Sequence, residues 1–318
     1  MIDLFPVNKA DFPEPVVVTG AGGCIGSWVL HLLQRIVALD LRKDTRRPSL
    51  LMTEEELASI SWLEGDISDP KTITHAVEQH KAGAIIHLAA LQIPFCKADP
   101  ILGAQVNVVG TINVLEAARQ FGIKRLAYAS SIAAHGVFDP NTISTLYGAY
   151  KYCNEETAKV YMQDWGVPST CLRPGIVYGV GRDQGMSSKT TVAILAAAMK
   201  QSYTIPFIGP VSWLHAGEVA SAFIASVSQP RNEARVFDIN GVIATVEESI
   251  KIIEKIEPNA KISVDGAALP FPTNLSDEPL RAYLSDYGSV GLVQGIEHTY
   301  DHFCHLVRSG KIGSDGFA

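Results

Sequence analysis

The sequence predicts an α/β fold in which a doubly wound parallel sheet is joined to a smaller C-terminal lobe. Short apolar runs alternate with amphipathic segments along the first half of the chain. Such alternation is typical of a parallel sheet covered by helices on both faces. A glycine-rich turn, Thr19 to Gly26, also joins the first apolar run to the first helical segment.

The predicted strands are short and apolar, as expected for strands buried on both faces. They are Val16 to Thr19, Ile36 to Leu39, Ser61 to Glu64, Ala84 to Leu88, Arg125 to Ala129, Ser169 to Leu172 and Arg235 to Ile239. Helices are predicted over Thr72 to His80, Ile101 to Phe121, Ala149 to Trp165, Thr190 to Gln201 and Val219 to Val227. The rhythm breaks into a glycine-rich stretch after Arg173-Pro174, where we expect the smaller lobe to begin.

Composition and charge exclude several classes of protein. The 318 residues are 47% hydrophobic and 19% charged, which is ordinary for a soluble enzyme. A net charge of −7 gives no basic footprint for nucleic acid, and the cluster Arg42 to Arg47 is interpreted as a solvated loop. The start, Met1 to Pro6, lacks a leader pattern, and we find no window of about 18 apolar residues, so a cytosolic protein without a membrane span is expected. The five scattered cysteines indicate neither a disulfide framework nor a zinc site, and no metal is expected.

The glycine turn predicts a dinucleotide site. Its glycines let backbone N–H groups at the start of the first helix approach a pyrophosphate. The turn follows a strand and opens a helix, which is the context that this signal requires. The residues expected to contact the cofactor here are Gly20, Gly23, Cys24, Ile25 and Gly26.

Asp40, at the end of the second predicted strand, indicates which dinucleotide is bound. A carboxylate there accepts hydrogen bonds from a ribose 2′-hydroxyl and repels a 2′-phosphate, so NAD is favoured over NADP. The alternative is that Arg42 and Lys43 hold a 2′-phosphate while the carboxylate turns away.

Two further strand ends are expected to complete the cofactor site. Asp66, followed by Ile67, comes after the third strand and is placed against the adenine edge. The fourth strand ends in Leu88, Ala89 and Ala90, at the carboxyl edge where such folds bind ligands. The small alanines would let the cofactor lie flat across the strand ends.

Tyr147 and Lys151 are four residues apart, so on a helix they share one face. We expect the ammonium of Lys151 to lower the pKa of the Tyr147 phenol and make it a usable acid or base. By itself this spacing also fits a solvated helix face.

Taken together, the motifs resemble those of the extended short-chain dehydrogenase/reductase family, the NAD-dependent epimerase/dehydratase group, over nearly the whole chain. They occur in the family's order: Thr19 to Gly26, Asp66-Ile67, His87 to Ala90, Asn107 to Thr111, Ser130-Ser131, Tyr147 to Lys151 and Arg173 to Gly179.

The resemblance implies a Rossmann-like NAD-binding domain, residues 15–173 with roughly 212–241, and a substrate-binding lobe, residues 174–211 and 242–318. It implies a catalytic Ser131, a Tyr147 acid/base, and a Lys151 that assists Tyr147 and binds ribose. Asn107 and Pro174 are expected beside the cofactor. A homodimer through helices 101–121 and 149–165 is also implied.

The sequence departs from the family where the reaction is decided. Ser131 is followed by Ile132-Ala133 instead of the Asp-Glu pair of dehydratases, which argues against water elimination. The segment 210–215 lacks the arginine with which nucleotide-sugar enzymes neutralise a pyrophosphate, and Gly175 replaces a common asparagine. We infer a substrate without a nucleotide. His135 and the loop 182–189 are candidates to face it, although the loop could equally be a solvated connection.

The leading interpretation is an NAD-dependent oxidoreductase that acts on a secondary alcohol or ketone of a small polar molecule, such as a sugar or sugar acid. The alternative is a sugar or nucleotide-sugar epimerase whose bound NAD is reduced transiently. A cofactor-sensing protein without activity is disfavoured, because the catalytic set is intact.

Overall fold

The computed structural model describes residues 11–284 and 287–313. The expectations for Met1 to Pro6 and for the last residues of the lobe, 314–318, fall outside them. The strands are β1 (Val16–Thr19), β2 (Ile36–Asp40), β3 (Ser61–Glu64), β4 (Ala84–His87), β5 (Leu126–Ala129), β6 (Ser169–Pro174), β7 (Val177–Tyr178), β8 (Ser202–Ile208), β9 (Pro210–His215), β10 (Ala234–Ile239), β11 (Val242–Thr245) and β12 (Lys261–Ala268). The α-helices are α1 (Cys24–Leu32), α2 (Glu54–Ala58), α3 (Pro70–His80), α4 (Ile93–Ala98), α5 (Pro100–Ala104), α6 (Gly110–Phe121), α7 (Leu146–Trp165), α8 (Lys189–Ala198), α9 (Ala216–Ser226), α10 (Val246–Ile256), α11 (Glu278–Tyr283) and α12 (Leu292–Arg308).

The central sheet has seven strands in the order β3-β2-β1-β4-β5-β6-β10, and every neighbouring pair is parallel. β1 and β4 are buried along their whole length, as their apolar sequences require. Two apolar clusters cover the opposite faces of the sheet. The predicted doubly wound α/β fold is confirmed. Because the strand order reverses between β1 and β4, a crevice opens at the carboxyl ends of these two strands.

The smaller sheets come from the second half of the chain. β11, β9 and β7 form one, and β12 pairs with β8 in the other. β9 therefore lies outside the central sheet, whereas β10 joins it and α9 packs against α1. The proposed division into residues 15–173 with 212–241, and 174–211 with 242–318, stays a prediction.

The helix predicted over Ile101 to Phe121 is not regular. A π-helical turn, Gln105–Val109, separates α5 from α6. The buried Asn107 lies in this turn, and its carbonyl oxygen accepts a hydrogen bond from Asn154 on α7. The extra residue in the turn points Asn107 toward the loop after β4, a use typical of π-bulges near functional sites.

The same helical segment corrects one expectation. By length and composition, Pro100–Phe121 could cross a membrane, which contradicts the expectation that the chain has no such apolar window. Half of its apolar stretch is buried inside the protein, where α6 packs against α3 and α7. This is the behaviour of a core helix.

Candidate active site

A cavity of about 620 Å³ opens at the carboxyl ends of the central strands. It begins at Asp40 and Asp66, passes the glycine turn and ends at Ser131, Tyr147 and Lys151. Of the expected cofactor contacts, all but Asn107 line it. The fold thus brings residues more than 100 positions apart into one continuous site.

The glycines of the turn are required by close backbone packing. Gly20 has a φ of +68°, and a Cβ added there would lie 2.6 Å from the backbone nitrogen of Ala89. A Cβ on Gly26 would collide with the Gly20 carbonyl oxygen. Gly23 precedes α1, and no side chain caps this helix start. The first amides of α1 are therefore available to an anion in the cavity, which fits a pyrophosphate.

Cys24 and Ile25, the first residues of α1, line the cavity. Burial raises the pKa of the Cys24 thiol to about 11. The thiol is therefore neutral near pH 7 and adds no negative charge beside the pyrophosphate position.

Asp40 is held in place by two backbone donors. The Gly22 nitrogen donates to Oδ2 at 2.9 Å and the Leu41 nitrogen donates to Oδ1 at 2.8 Å. Each oxygen keeps capacity to accept a further hydrogen bond, which fits the hydroxyls of a ribose. Arg42 and Lys43, the alternative ligands, are exposed and do not line the cavity. The carboxylate has not turned away, so the site fits NAD.

The other cofactor residues form walls. Asp66 accepts hydrogen bonds from the nitrogen and hydroxyl of Ser68, while Ile67 is buried below the cavity. Leu88, Ala89 and Ala90 line the opposite side, and Pro174 lies at the end of β6.

A buried polar network supports the Leu88 wall. The Thr19 hydroxyl accepts from the backbone nitrogens of Leu88 and Ala89, so its proton goes to His87 Nδ1, at 2.7 Å. His87 Nε2 then donates to Thr111. Burial lowers the pKa of His87 to about 3. The ring is therefore neutral and links β1 to α6 through these two hydrogen bonds.

Ser131, Tyr147 and Lys151 meet at the far end of the cavity. Tyr147 lies in the first turn of α7, and Ser131, which follows β5, lies close enough to lower the pKa of its phenol. The ammonium of Lys151 is 5.6 Å from the centre of the Tyr147 ring and donates to the Ala129 carbonyl oxygen at 2.7 Å. The predicted helical pairing of Tyr147 with Lys151 is therefore present in the structure.

The expected pKa of Tyr147 requires a correction. Burial raises it to about 12, and Ser131 and the charge of Arg182 offset only part of this rise. Burial also lowers the pKa of Lys151, to about 8. In the protein by itself, desolvation outweighs the effects that lower this pKa, so Tyr147 rests as a neutral phenol.

Asn107 is not a cavity residue. Its Oδ1 accepts from the Leu91 nitrogen at 2.9 Å, and its Nδ2 donates to the Leu91 carbonyl at 3.0 Å and to Cys96 Sγ. The expected cofactor contact is wrong in this structure, because the amide is saturated behind the wall. Asn107 instead fixes Leu91, which does line the cavity.

His135 does not face the substrate end either. Its Nε2 bonds to Asp238 on β10 at 2.8 Å, and the residue is absent from the cavity lining. His215 ends β9, where its Nδ1 accepts from the Gly217 nitrogen, so it caps α9.

Several cavity residues were not identified from sequence. Arg47 donates to Asp183 at 2.8 Å and to the Gly22 carbonyl, and Trp28 Nε1 donates to Val180, so the loop after β7 is tied down over the cavity. The sequence predicts only the stretch 182–189 as a candidate here, and part of that stretch lines the cavity. The additional lining residues include Arg47, Gln92, Phe95 and Phe271. No local pattern marks them, since each reaches the site through the tertiary fold.

Within residues 11–284 and 287–313, no group of three or more His, Cys, Asp or Glu side chains is placed to hold a metal ion. The five cysteines are free thiols.

Comparison with known proteins identifies the family. Residues 16–240 match the model of the NAD dependent epimerase/dehydratase family. An uncharacterised epimerase/dehydratase of Staphylococcus aureus (strain USA300) is 28% identical over 207 residues, which cover 61% of this chain and 63% of that protein. One from Staphylococcus haemolyticus is 28% identical over 214 residues, covering 63% and 66%. The chain thus matches less than two thirds of the length of these curated relatives.

Solved structures share the fold over nearly the whole chain. The L-threonine dehydrogenase of Clostridium difficile superposes with a TM-score of 0.78 at 21% identity, covering 92% of this chain and 98% of that one. The UDP-glucose 4-epimerase of Thermus thermophilus, solved with NAD, gives 0.74 at 23% identity, covering 92% and 100%. The family match covers most of the chain, and the expected family is confirmed. This protein belongs to the NAD dependent epimerase/dehydratase family, whose description names the expected cofactor, NAD.

Proposed function

We propose that the protein is an NAD-dependent oxidoreductase acting on a secondary alcohol or ketone of a small polar substrate, a sugar or sugar acid, with Tyr147 as acid/base. One observation carries the proposal. A single cavity contains Asp40 and the glycine turn at one end and the Ser131, Tyr147 and Lys151 group at the other.

Bound NAD supplies the group that accepts or donates a hydride. Tyr147 takes the hydroxyl proton during oxidation and returns it during reduction, while the Ser131 hydroxyl donates to the substrate oxygen. Because the pKa of Lys151 is about 8, its ammonium is mostly present near pH 7 and stabilises the tyrosinate when it forms. The resting phenol, with a pKa of about 12, is the form that protonates a ketone.

The walls beside Ser131 argue against dehydration. Ile132 and Ala133 are buried and apolar, so no carboxylate follows Ser131 to eliminate water.

The substrate wall also argues against a nucleotide handle. Gly175 packs so tightly that a Cβ there would collide with the hydroxyl of Ser212, and an asparagine does not fit. Among the described residues lining the cavity, the cations are Arg47, Lys151 and Arg182, and Arg47 is already paired. Lys151 donates to the Ala129 carbonyl oxygen, so Arg182 alone is left to neutralise a nucleotide-sugar diphosphate, which carries two negative charges.

An epimerase that keeps its NAD bound is the second candidate, favoured by the description of the family. It would use the same Ser131, Tyr147 and Lys151. The two functions differ in their products, because net redox chemistry changes the free NADH concentration and epimerisation does not.

The test is a panel of sugar acids, polyols and ketones, followed by cofactor absorbance and product stereochemistry. Tyr147→Phe should reduce kcat by roughly 10²- to 10⁴-fold, the usual contribution of general acid/base catalysis, with NAD affinity unchanged. Tyr150→Phe is the matched control, because Tyr150 lies on the same helix but donates to Pro100 outside the cavity. An active Tyr147→Phe protein would contradict the assignment.

A homodimer and a cytosolic location stay predictions. Ile101 on α5 and Val160 on α7 are exposed apolar residues on the helices proposed to pair.

A further inference from the structure

Arg182 lies in the loop between β7 and α8, directly at the cavity. Its backbone nitrogen donates to the Gly179 carbonyl at 3.0 Å, which closes a turn through Gly181, at a φ of +86°. The loop is fastened to the cofactor side by the Arg47–Asp183 pair. The backbone from which the Arg182 side chain extends is therefore fixed beside the cavity.

The guanidinium has little to bind within the described part of the chain. No carboxylate there lies within 4.0 Å of it, in contrast to Arg47 with Asp183 at 2.8 Å. Its Nη2 makes one long hydrogen bond, 3.3 Å, to the Ser187 hydroxyl, and its buried Nε has no hydrogen-bond partner. A guanidinium carries five N–H donors in a planar fork, so most of its binding capacity is unused.

Arg182 lines the same cavity as the reacting side chains Ser131, Tyr147 and Lys151. Its positive charge lowers the pKa of Tyr147 against the larger effect of burial. Gly185 has a φ of +96°, and a Cβ there would lie 2.5 Å from Gln92 Oε1 and 3.2 Å from Arg182 Nη2. The glycine thus lets an amide and a guanidinium approach each other in the same wall.

We propose that Arg182 binds a carboxylate of the substrate, which makes the substrate a hydroxy acid or its keto acid and not a neutral polyol. The inference rests on the proposed function and narrows its substrate class. A carboxylate matches the planar fork of arginine with two parallel hydrogen bonds. Gln92 and Ser187 provide neutral donors and acceptors for the remaining oxygens.

The pyrophosphate of NAD is a second anion that Arg182 could bind, and it must be distinguished from a substrate carboxylate. Arg182 also lies within electrostatic reach of Cys24 at the start of α1, where the pyrophosphate of NAD is expected. That pyrophosphate already has the uncapped amides of α1 as donors. The experiment therefore measures NAD binding and substrate binding separately.

The probes are two matched pairs, glycerate with glycerol and gluconate with sorbitol. Each pair is offered to the NAD-saturated protein, and affinity is measured by thermal shift and, where turnover occurs, as KM. NAD affinity is measured by quenching of intrinsic fluorescence. The variants are Arg182→Gln, Arg182→Lys and the control Arg46→Gln, whose exposed side chain pairs with Asp44.

We expect the wild-type protein to prefer each acid to its polyol. Arg182→Gln should weaken acid binding by about 10- to 100-fold, the usual effect of losing hydrogen bonds to a charged group, and leave polyol and NAD binding unchanged. The acid affinity of Arg182→Lys should fall between the affinities of the wild type and of Arg182→Gln. All affinities of Arg46→Gln should match those of the wild type.

Three results would overturn the inference: equal losses for acids and polyols, no acid preference in the wild type, or a loss confined to NAD affinity. The last would assign Arg182 to the pyrophosphate. If the acids stabilise the wild type but not Arg182→Gln and nothing is turned over, the carboxylate site stands and the proposed oxidoreductase function fails. If Arg182→Gln oxidises acids as efficiently as the wild type, the function stands and this inference fails.

Discussion

Arg173 forms a double hydrogen bond with the fully buried carboxylate of Glu155. Its Nε donates to Oε1 at 2.8 Å and its Nη2 donates to Oε2. The hydroxyl of Ser130 donates to the same carboxylate. Because Ser130 immediately precedes Ser131, this ion pair between β6 and α7 fixes the backbone from which the candidate catalytic serine extends.

Breaking this pair should destabilise the fold strongly. Arg173→Ala leaves the Glu155 charge buried without its cation, a change that typically lowers the free energy of unfolding by about 3–5 kcal/mol. Urea unfolding of the NAD-free protein measures the effect. Arg235→Ala, which removes an exposed pair with Glu233 at 3.8 Å, is the control and should change stability by less than about 1 kcal/mol. Equal losses of unfolding free energy in the two variants would show that the buried pair stabilises the fold no more than the exposed pair does.

The glycine turn offers a test that separates backbone strain from packing. Gly20→Ala and Gly122→Ala both place a side chain at a φ near +65°, at a cost of about 1–2 kcal/mol each. Only the Gly20 substitution also forces a Cβ against Ala89, since nothing lies within 4 Å of Gly122. We therefore expect Gly20→Ala alone to reduce NAD affinity, measured by fluorescence titration.

Should Gly20→Ala fail to fold, Gly23→Ala serves in its place. Gly23 has an ordinary φ of −74°, and an added Cβ would meet only the Gly20 carbonyl oxygen, at 3.1 Å. Unchanged NAD affinity in the folded variant would contradict the placement of the dinucleotide at this turn.

Asp40 should determine the choice between NAD and NADP. Asp40→Asn removes the negative charge that accepts from ribose hydroxyls, so NAD affinity should fall by about 10- to 100-fold while NADP affinity rises. Glu64→Gln, at the end of the adjacent strand and outside the cavity, is the control. The measurement is the ratio of the dissociation constants for NAD and NADP. A ratio equal to that of the wild type would contradict the placement of Asp40 at the ribose.

The pKa of Lys151 predicts a pH limit on reduction. Since burial lowers that pKa to about 8, Lys151 loses its charge as the pH rises through 8. The kcat/KM for NADH, which reports ionisations of the free enzyme, should be level below pH 8 and fall about tenfold per pH unit above it. Lys151→Arg keeps its charge across this range and should remove the decline. A decline that persists in the variant would come from another group.

The features that the sequence predicted are those that depend on residues close together along the chain. The glycine turn and the pairing of Tyr147 with Lys151 four residues later depend on neighbours along one turn or one helix, so their spacing predicts their geometry. Asp40 could be placed because β2 is a short buried strand that ends there. In the structure, a short connection, residues 33–35, joins α1 to β2.

The errors occurred where distant residues compete for a side chain. The family pattern predicts Asn107 beside the cofactor, but Leu91 and Cys96 saturate its amide. His135 was considered for the substrate, but Asp238, 103 residues away, binds it.

By itself, the sequence determined the doubly wound fold and the local geometry of the glycine turn, because these follow from periodicity and from spacing within a few residues. The family followed from the resemblance of its ordered motifs. Tertiary structure alone decided the ionisation of Tyr147 and the closure of the cavity by Arg47 and Asp183, which are 136 residues apart. It also decided that Arg182 is left with unused donors. The physical reason is the same in each case: desolvation and partner choice depend on everything that packs around a charge.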